Sequence, residues 1–183
     1  MNLGNLDAID SKKMYETYDK WPEIARNSFD EDYKKIDVKD IDHVVFVGMG
    51  GSGSIGDTIS SVLSKEDIHV SNVKGYHLPH TVDSSTLVIT TSISGNTIET
   101  LTVLENAQKT NAKIAAFSSG GIMKSFCEKN NIFYNKIAMT HSPRASFTKY
   151  LFSILNILED IIPIRKTYVR ESISDLAKTR SEI

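Results

Sequence analysis

Three hydroxyl side chains surround a glycine in the segment Ser92–Thr97, which reads Ser-Ile-Ser-Gly-Asn-Thr. An apolar, β-branched run precedes this segment, and apolar residues at helical spacing follow it. Hydroxyls and backbone N–H groups at the start of a helix can wrap a tetrahedral anion, and the helix dipole favours negative charge there. We therefore predict that Ser92, Ser94 and Thr97 bind a phosphate group. The alternative is ordinary capping of the helix, which requires one hydroxyl rather than three.

A glycine-rich segment at 48–53, Gly-Met-Gly-Gly-Ser-Gly, also lies between an apolar run and a helical pattern. Glycines let the chain turn sharply, and they let a ligand approach backbone N–H groups without meeting a Cβ atom. The spacing fits the G-x-G-x-x-G pattern of dinucleotide-binding proteins, which requires an acidic residue at the end of the second strand. Here Asp67 precedes that strand, and no acid ends it near Tyr76. The segment favours an anion-binding turn, with a dinucleotide site and a turn that only packs as alternatives.

The two segments belong to a regular alternation of strands and helices. Continuous apolar or β-branched runs predict strands at 44–47, 68–76, 86–91, 113–117 and 132–137. Helical patterns separate several of these runs, and a long helix is predicted at 144–162, before Pro163. The pattern indicates an α/β fold, a three-layer α-β-α sandwich on a five-stranded parallel sheet. We predict one domain at 1–163, with N-terminal helices up to about residue 36, and a helical tail or linker to an absent second domain at 164–183.

The composition narrows the classes of partner. A hydrophobic fraction of 40% and a charged fraction of 24% over 183 residues are typical of a folded domain. The net charge of −2 disfavours a nucleic-acid partner, and no apolar run reaches the roughly 20 residues that a membrane span needs. Cys127 is the one cysteine, and the N-terminus does not resemble a signal peptide. We therefore expect a cytoplasmic protein without internal disulfides, membrane contact or nucleic-acid partners.

Residues 92–100 are similar to the signature Ser-x-Ser-Gly-x-Thr-x-Glu-Thr of the sugar isomerase (SIS) domain family, with Glu99 and Thr100 at its end. The segment at 48–53, the Tyr-x-Leu-Pro of 76–79 and the Ser-Pro-Arg-Ala of 142–145 narrow the resemblance. Together they resemble the bifunctional phosphoglucose/phosphomannose isomerases of archaea and some bacteria. The resemblance covers about residues 40–160 and implies a flavodoxin-like SIS fold.

The resemblance also implies roles for individual residues. Ser92, Ser94 and Thr97 would bind the phosphate of a sugar phosphate, and Gly50, Gly51 and Ser52 would contact the sugar. Arg144 would stabilise negative charge on an enediolate intermediate, a role that suits its fixed charge and its rigid donor groups. The alternative for Arg144 is a surface ion pair. The implied ligands are fructose 6-phosphate, glucose 6-phosphate and mannose 6-phosphate, with no metal and no cofactor.

One departure from the family puts catalysis by this chain alone in doubt. Members carry two SIS domains, and their glutamate base, ring-opening histidine and lysine come from the second one. The five histidines do not match those positions: His43, His69, His77, His80 and His141. Glu99 is predicted to cap its helix rather than to abstract a proton. Three hypotheses follow: one half of an isomerase that pairs with a second SIS domain or forms a homodimer, a sugar-phosphate sensor without chemistry, or a stand-alone oligomeric isomerase.

Overall fold

The computed structural model describes residues 9–182, and its centre is a parallel sheet. The strands are β1 (His43–Val47), β2 (His69–Val73), β3 (Thr86–Thr91), β4 (Lys113–Ser118) and β5 (Phe133–Lys136). They form a five-stranded sheet in the order β2-β1-β3-β4-β5, with every neighbouring pair parallel. The helices are α1 (Met14–Asp19), α2 (Trp21–Asp30), α3 (Gly50–Leu63), α4 (Ile98–Ala107), α5 (Gly121–Lys129), α6 (Phe147–Ile157) and α7 (Lys166–Ser181). A 3-10 turn at Arg144–Ser146 leads into α6.

Every residue of β1 and β3 is buried, because helices cover both faces of the sheet. Successive side chains of a strand point to opposite faces, so Val44 and Phe46 pack on one side and Val45 and Val47 on the other. The first side packs against α2, α3, α6 and α7. The second packs against α4 and α5. The predicted three-layer α/β sandwich with a five-stranded parallel sheet is confirmed.

Three predicted elements are longer than the observed ones, and one of them, the strand predicted at 132–137, loses a single residue at each end. Strand β2 ends at Val73 rather than near Tyr76, because its partner β1 ends at Val47 and pairs no further. The helix predicted from 144 to 162 consists of the 3-10 turn, α6 and a turn that follows Ile157. A proline disfavours helical backbone in the residue before it, so Pro163 stops a helix before Ile162, but it does not account for the earlier end at Ile157.

The helices outside the βα units pack against each other. Val169 and Ile173 of α7 are buried in the same apolar cluster as Phe29 of α2. Exposed ion pairs, Arg170 with Asp30 (2.8 Å) and Arg180 with Glu23 (2.8 Å), join the same two helices. The segment predicted as a tail or linker at 164–183 is thus mostly a helix that docks on the domain, while the domain boundary at 163 stays a prediction. Of the N-terminal helical segment predicted at 1–36, residues 1–8 lie outside the described residues.

Candidate functional site

Two loops meet at the carboxyl end of the sheet. The serine loop (Ser92–Thr97) connects β3 to α4, and the glycine loop (48–53) connects β1 to α3 and forms the first turn of that helix. Strands β1 and β3 are neighbours. From β1 the chain continues to β2 at one edge of the sheet, and from β3 it continues to β4 in the opposite direction. Open parallel sheets bind ligands at such a switch point. The fold therefore places both predicted segments side by side, where a ligand can contact both.

A cavity of about 270 Å³ lies between the two loops. Its lining residues are Met49, Gly51, Ser52, Ile93, Ser94, Thr97, Pro143 and Arg144. The lining includes predicted site residues from the glycine loop, from the serine loop and, with Arg144, from the 3-10 turn before α6. Three separate stretches of the sequence thus converge on one small space, which is the arrangement expected of a binding site rather than of an isolated turn.

Two of the predicted site residues do not line this cavity. Ser92 is buried, and its Oγ hydrogen-bonds Thr97 Oγ1 (2.9 Å) and accepts from the backbone N–H groups of Gly95 (3.1 Å) and Thr97 (3.4 Å). These contacts shape the serine loop from inside. Gly50 begins α3 with a φ of 51°, a left-handed conformation that glycine adopts without strain. Both residues support the geometry of the cavity, whereas Ser94 and Thr97 line it.

The glycine loop combines close packing with open space. A Cβ atom added to Gly53 would lie 2.7 Å from the carbonyl oxygen of Gly48, so the turn closes too tightly for a side chain there. A Cβ atom added to Gly51 would meet nothing within 4 Å, and Gly51 lines the cavity. The loop therefore performs both of the roles that its sequence suggests, since some of its glycines allow packing and another leaves the cavity open.

The electrostatics of the cavity favour an anion. Helices α3 and α4 both begin at its wall, with Met49 and Thr97 as their N-caps, and neither N-cap side chain hydrogen-bonds the helix it precedes. Backbone N–H groups at these helix starts carry partial positive charge. Arg144 is exposed, forms no ion pair within the part of the chain that the structure describes, and is the charged residue of the lining. Among residues 9–182, the lining thus contains one cationic side chain and no acidic one.

The turn between β4 and α5, which the sequence analysis did not single out, hydrogen-bonds the backbone of the serine loop. The N–H and Oγ of Ser119 both donate to the carbonyl of Ile93 (3.0 and 2.7 Å), and the N–H of Met123 donates to the carbonyl of Gly95 (2.9 Å). Gly95 has a φ of 74°, and an added Cβ atom would lie 1.9 Å from the carbonyl oxygen of Gly120. The run Ser-Ser-Gly-Gly at 118–121, directly after the fourth strand, is the signal that could have revealed this turn.

Helix α6 contacts the same loop through a buried tyrosine. The hydroxyl of Tyr150 donates to the carbonyl of Ile137 (2.6 Å) and lies 3.5 Å from the carbonyl of Ile93. Burial raises the pKa of Tyr150 well above its usual value, so the hydroxyl keeps its proton and remains a donor. Tyr150 therefore connects the helix that follows Arg144 to the loop that carries Ser94.

The candidate acid–base groups outside the predicted site are not part of the lining of this cavity. His43 and His69 begin β1 and β2 at the amino end of the sheet, with ring centroids 4.5 Å apart, and burial together with His69 lowers the pKa of His43. His141 hydrogen-bonds the carbonyl of Lys12 (2.8 Å). Glu99 lies in the first turn of α4 and is not part of the lining. The lining therefore lacks a side chain that could act as a general base near neutral pH.

Neither a membrane span nor a metal site is found between residues 9 and 182. Each helix in that range is too short or too polar to cross a membrane. The same residues contain no group of three His, Cys, Asp or Glu side chains that could hold a metal ion.

The model of the SIS domain family matches residues 38–157, a stretch that includes both loops and Arg144. The chain belongs to the SIS domain family. Among the curated relatives of this SIS domain are two proteins named bifunctional phosphoglucose/phosphomannose isomerase. The one from Caldicellulosiruptor bescii is 41% identical over 138 residues, which are 73% of this chain and 40% of the relative. The one from Aquifex aeolicus is 32% identical over 169 residues, 90% of this chain and 50% of the relative.

This SIS domain also matches solved structures, and it spans about half the length of the proteins that it resembles. Glucosamine-6-phosphate deaminase from Thermotoga maritima aligns with a TM-score of 0.68 at 18% identity, over 91% of this chain and 54% of that one. Tagatose-6-phosphate ketose/aldose isomerase from Escherichia coli aligns with a TM-score of 0.59 at 16% identity, over 92% and 53%. At these identities the structural matches show the fold alone.

Proposed function

We propose that this SIS domain binds a phosphorylated sugar in the cavity between the glycine loop and the serine loop. The phosphate lies against Ser94, Thr97 and the start of α4, and the sugar extends towards Gly51 and Ser52. The observation that carries the proposal is the convergence of two helix starts, three hydroxyls and the Arg144 guanidinium on a cavity whose described lining residues include no acid. The names of the curated relatives support a six-carbon sugar phosphate such as fructose 6-phosphate.

The reaction proposed for the complete protein is the interconversion of an aldose phosphate and a ketose phosphate. A base removes a proton from C2 of the aldose and an enediolate forms. A proton moves from the C2 oxygen to the C1 oxygen, and a proton is returned to C1. The Arg144 guanidinium suits the stabilisation of the enediolate, because it is charged at every physiological pH and donates from a rigid plane. We assign the proton transfers to a second SIS domain, in the same protein or in a partner copy, since the lining described above provides no base.

The lack of a base among the described lining residues favours a second candidate, a module that senses a sugar phosphate without converting it. Another curated relative, from Sulfolobus acidocaldarius, is named D-glucosamine-6-phosphate 4-epimerase and is 31% identical over 147 residues, 78% of this chain and 46% of the relative. Relatives of this SIS domain are therefore named for two different reactions. Binding of the phosphate at the serine loop is the part of the proposal that does not depend on which reaction the complete protein performs.

Calorimetric titration of the chain with fructose 6-phosphate, and separately with fructose, tests the binding proposal. We expect saturable binding of the phosphorylated sugar and none of the free sugar at the same concentrations, because the phosphate provides the anion that the cavity attracts. Equal binding of both sugars, or of neither, would contradict the proposal. A coupled assay of this chain for conversion of fructose 6-phosphate to glucose 6-phosphate then tests where the base lies. Turnover by this chain alone would refute the assignment of the base to a second SIS domain.

A further inference from the structure

Asn96 lies in the serine loop, but its side chain contacts a different element. Its Oδ1 accepts a hydrogen bond from the backbone N–H of Ile122 (3.0 Å), in the first turn of α5. Its Nδ2 donates to the carbonyl of Ser94 (3.3 Å), and its backbone N–H donates to Ser94 Oγ (3.2 Å). The side chain of Asn96 is exposed and does not line the cavity. Asn96 thus joins the start of α5 to the residue whose hydroxyl lines the cavity.

Helix α5 has no side-chain cap of its own. Its N-cap is Gly120, and the first backbone N–H groups of any helix have no partner within the helix. The serine loop provides the missing acceptors, because the N–H of Ile122 donates to Asn96 Oδ1 and the N–H of Met123 donates to the carbonyl of Gly95 (2.9 Å). Asparagine is among the best N-cap residues, although it usually belongs to the helix that it caps. Here the cap comes from the loop of the neighbouring βα unit.

The two loops touch closely at this point. Gly121 has a φ of 70°, and an added Cβ atom would lie 2.6 Å from Asn96 Oδ1 and 2.6 Å from the carbonyl oxygen of Ser94. Gly121 therefore packs against both the Asn96 side chain and the backbone of Ser94, which Asn96 also hydrogen-bonds. The N-terminus of α5 acts as a fixed support for this part of the serine loop.

We propose that Asn96 is a positioning residue for the sugar-phosphate site, because it caps α5 from the serine loop and so fixes the orientation of Ser94. The positioning role rests on the proposed function, because that function names the ligand. The cap of α5 is present without a ligand. It assigns to Asn96 no direct contact with the substrate. Its role is to keep the Ser94 hydroxyl and the loop backbone arranged around the phosphate before binding.

Amide hydrogen exchange of the full chain without ligand tests the cap. In Asn96→Ala we expect the N–H of Ile122 to exchange about fivefold faster, the factor that corresponds to the loss of a typical N-cap. Asn96→Asp keeps a carboxylate oxygen as acceptor and is expected to restore the slow exchange. Asn130→Ala is the matched control, because Asn130 donates from its side chain to the carbonyl of Phe126 within the same helix. Unchanged exchange of Ile122 in Asn96→Ala would overturn the inference.

Titration with fructose 6-phosphate tests the positioning role. We expect Asn96→Ala to weaken binding by about fivefold if the loss of the cap is transmitted fully to the site. Asn96→Asp is expected to weaken binding too, by a factor that shrinks in added salt, because its carboxylate repels the phosphate through a screened interaction. Normal affinity in Asn96→Ala, despite faster exchange of Ile122, would overturn the positioning role. If the unmodified chain binds no fructose 6-phosphate, the proposed function fails, and the exchange comparison still decides whether Asn96 caps α5.

Discussion

Ser94 and Thr97 both line the cavity, and of these two serine-loop residues Ser94 is the exposed one. Its Oγ accepts from the N–H of Asn96, which leaves the hydroxyl hydrogen for donation to a ligand. A hydrogen bond to a charged group contributes about 1.5–3 kcal/mol. We therefore expect Ser94→Ala to weaken fructose 6-phosphate binding by about tenfold or more in a calorimetric titration.

Ser64→Ala is the control for this substitution. Ser64 is an exposed residue just after the last turn of α3, at the opposite end of the helix whose start lines the cavity, and its Oγ donates to the carbonyl of Ser61. Helix α3 has 14 residues and is thus about 21 Å long, so Ser64 cannot reach the ligand. Equal affinity of Ser94→Ala and Ser64→Ala for fructose 6-phosphate would contradict the placement of the phosphate at the serine loop.

Gly95 and Gly51 are expected to respond differently to the same substitution. In Gly95→Ala the new methyl group would overlap the carbonyl of Gly120 at a left-handed φ, so we expect the free energy of unfolding to fall by about 2–3 kcal/mol. In Gly51→Ala the added methyl group meets open space, and we expect stability to change by less than about 1 kcal/mol. Urea denaturation followed by circular dichroism measures both values. Similar losses in the two variants would show that the close contact of Gly95 with Gly120 does not matter.

At the scale of the elements, the sheet was predictable and its supports were less so. The strands β1 and β3 are buried on both faces, so they contain continuous runs of apolar or β-branched residues, at 44–47 and 86–91, that a sequence displays directly. The contact of Ser119 with Ile93 joins residues 26 apart in the chain and has no local pattern. The internal role of Ser92 was not predictable either, because Ser92 and Ser94 have the same chemistry and differ only in burial.

Helix α7 is expected to contribute to the stability of the domain. Ile173 is 3% exposed and packs in the cluster that includes the sheet and α2. Large-to-small substitution of such a residue costs about 2–5 kcal/mol, so Ile173→Ala is expected to lower the midpoint of thermal unfolding by several degrees. Ile122→Ala, at a residue that is 60% exposed, is the control and is expected to have little effect. An unchanged midpoint in Ile173→Ala would mean that α7 does not dock on the domain in solution.

At the scale of the whole molecule, a single cysteine reports on the integrity of the fold. Cys127 is fully buried, and burial raises the pKa of its thiol to about 12. The thiolate is the form that attacks a disulfide reagent and displaces its leaving thiolate, so at pH 8 we expect such a reagent to modify Cys127 only after the chain unfolds. The chain with Ser125→Cys and Cys127→Ser provides the control, because Ser125 is exposed on the same helix. Equally fast modification of the folded and the denatured parent chain would contradict the burial of Cys127.

The whole molecule also explains why the site needs so few charges. The cavity lies between the ends of β1 and β3, and the helices that follow these strands lie on opposite faces of the sheet. Both helices therefore begin at the cavity and present backbone N–H groups to it. This arrangement lets a chain with a net charge of −2 attract an anion locally. The described lining of the cavity contains no side chain suited to be the catalytic base, so we assign that group to the proposed second SIS domain.

The lining of the cavity has a consequence for the dependence of binding on pH. Its residues are apolar groups, hydroxyls, glycines and one arginine, and none of these changes its charge between pH 5 and pH 8. The second proton of a phosphate ester dissociates near pH 6. The ligand rather than the protein is therefore expected to set the pH profile, with affinity falling below about pH 6 as the phosphate becomes a monoanion. A sulfate ester of the same sugar, which keeps its single charge over this range, should bind with an affinity that does not vary with pH.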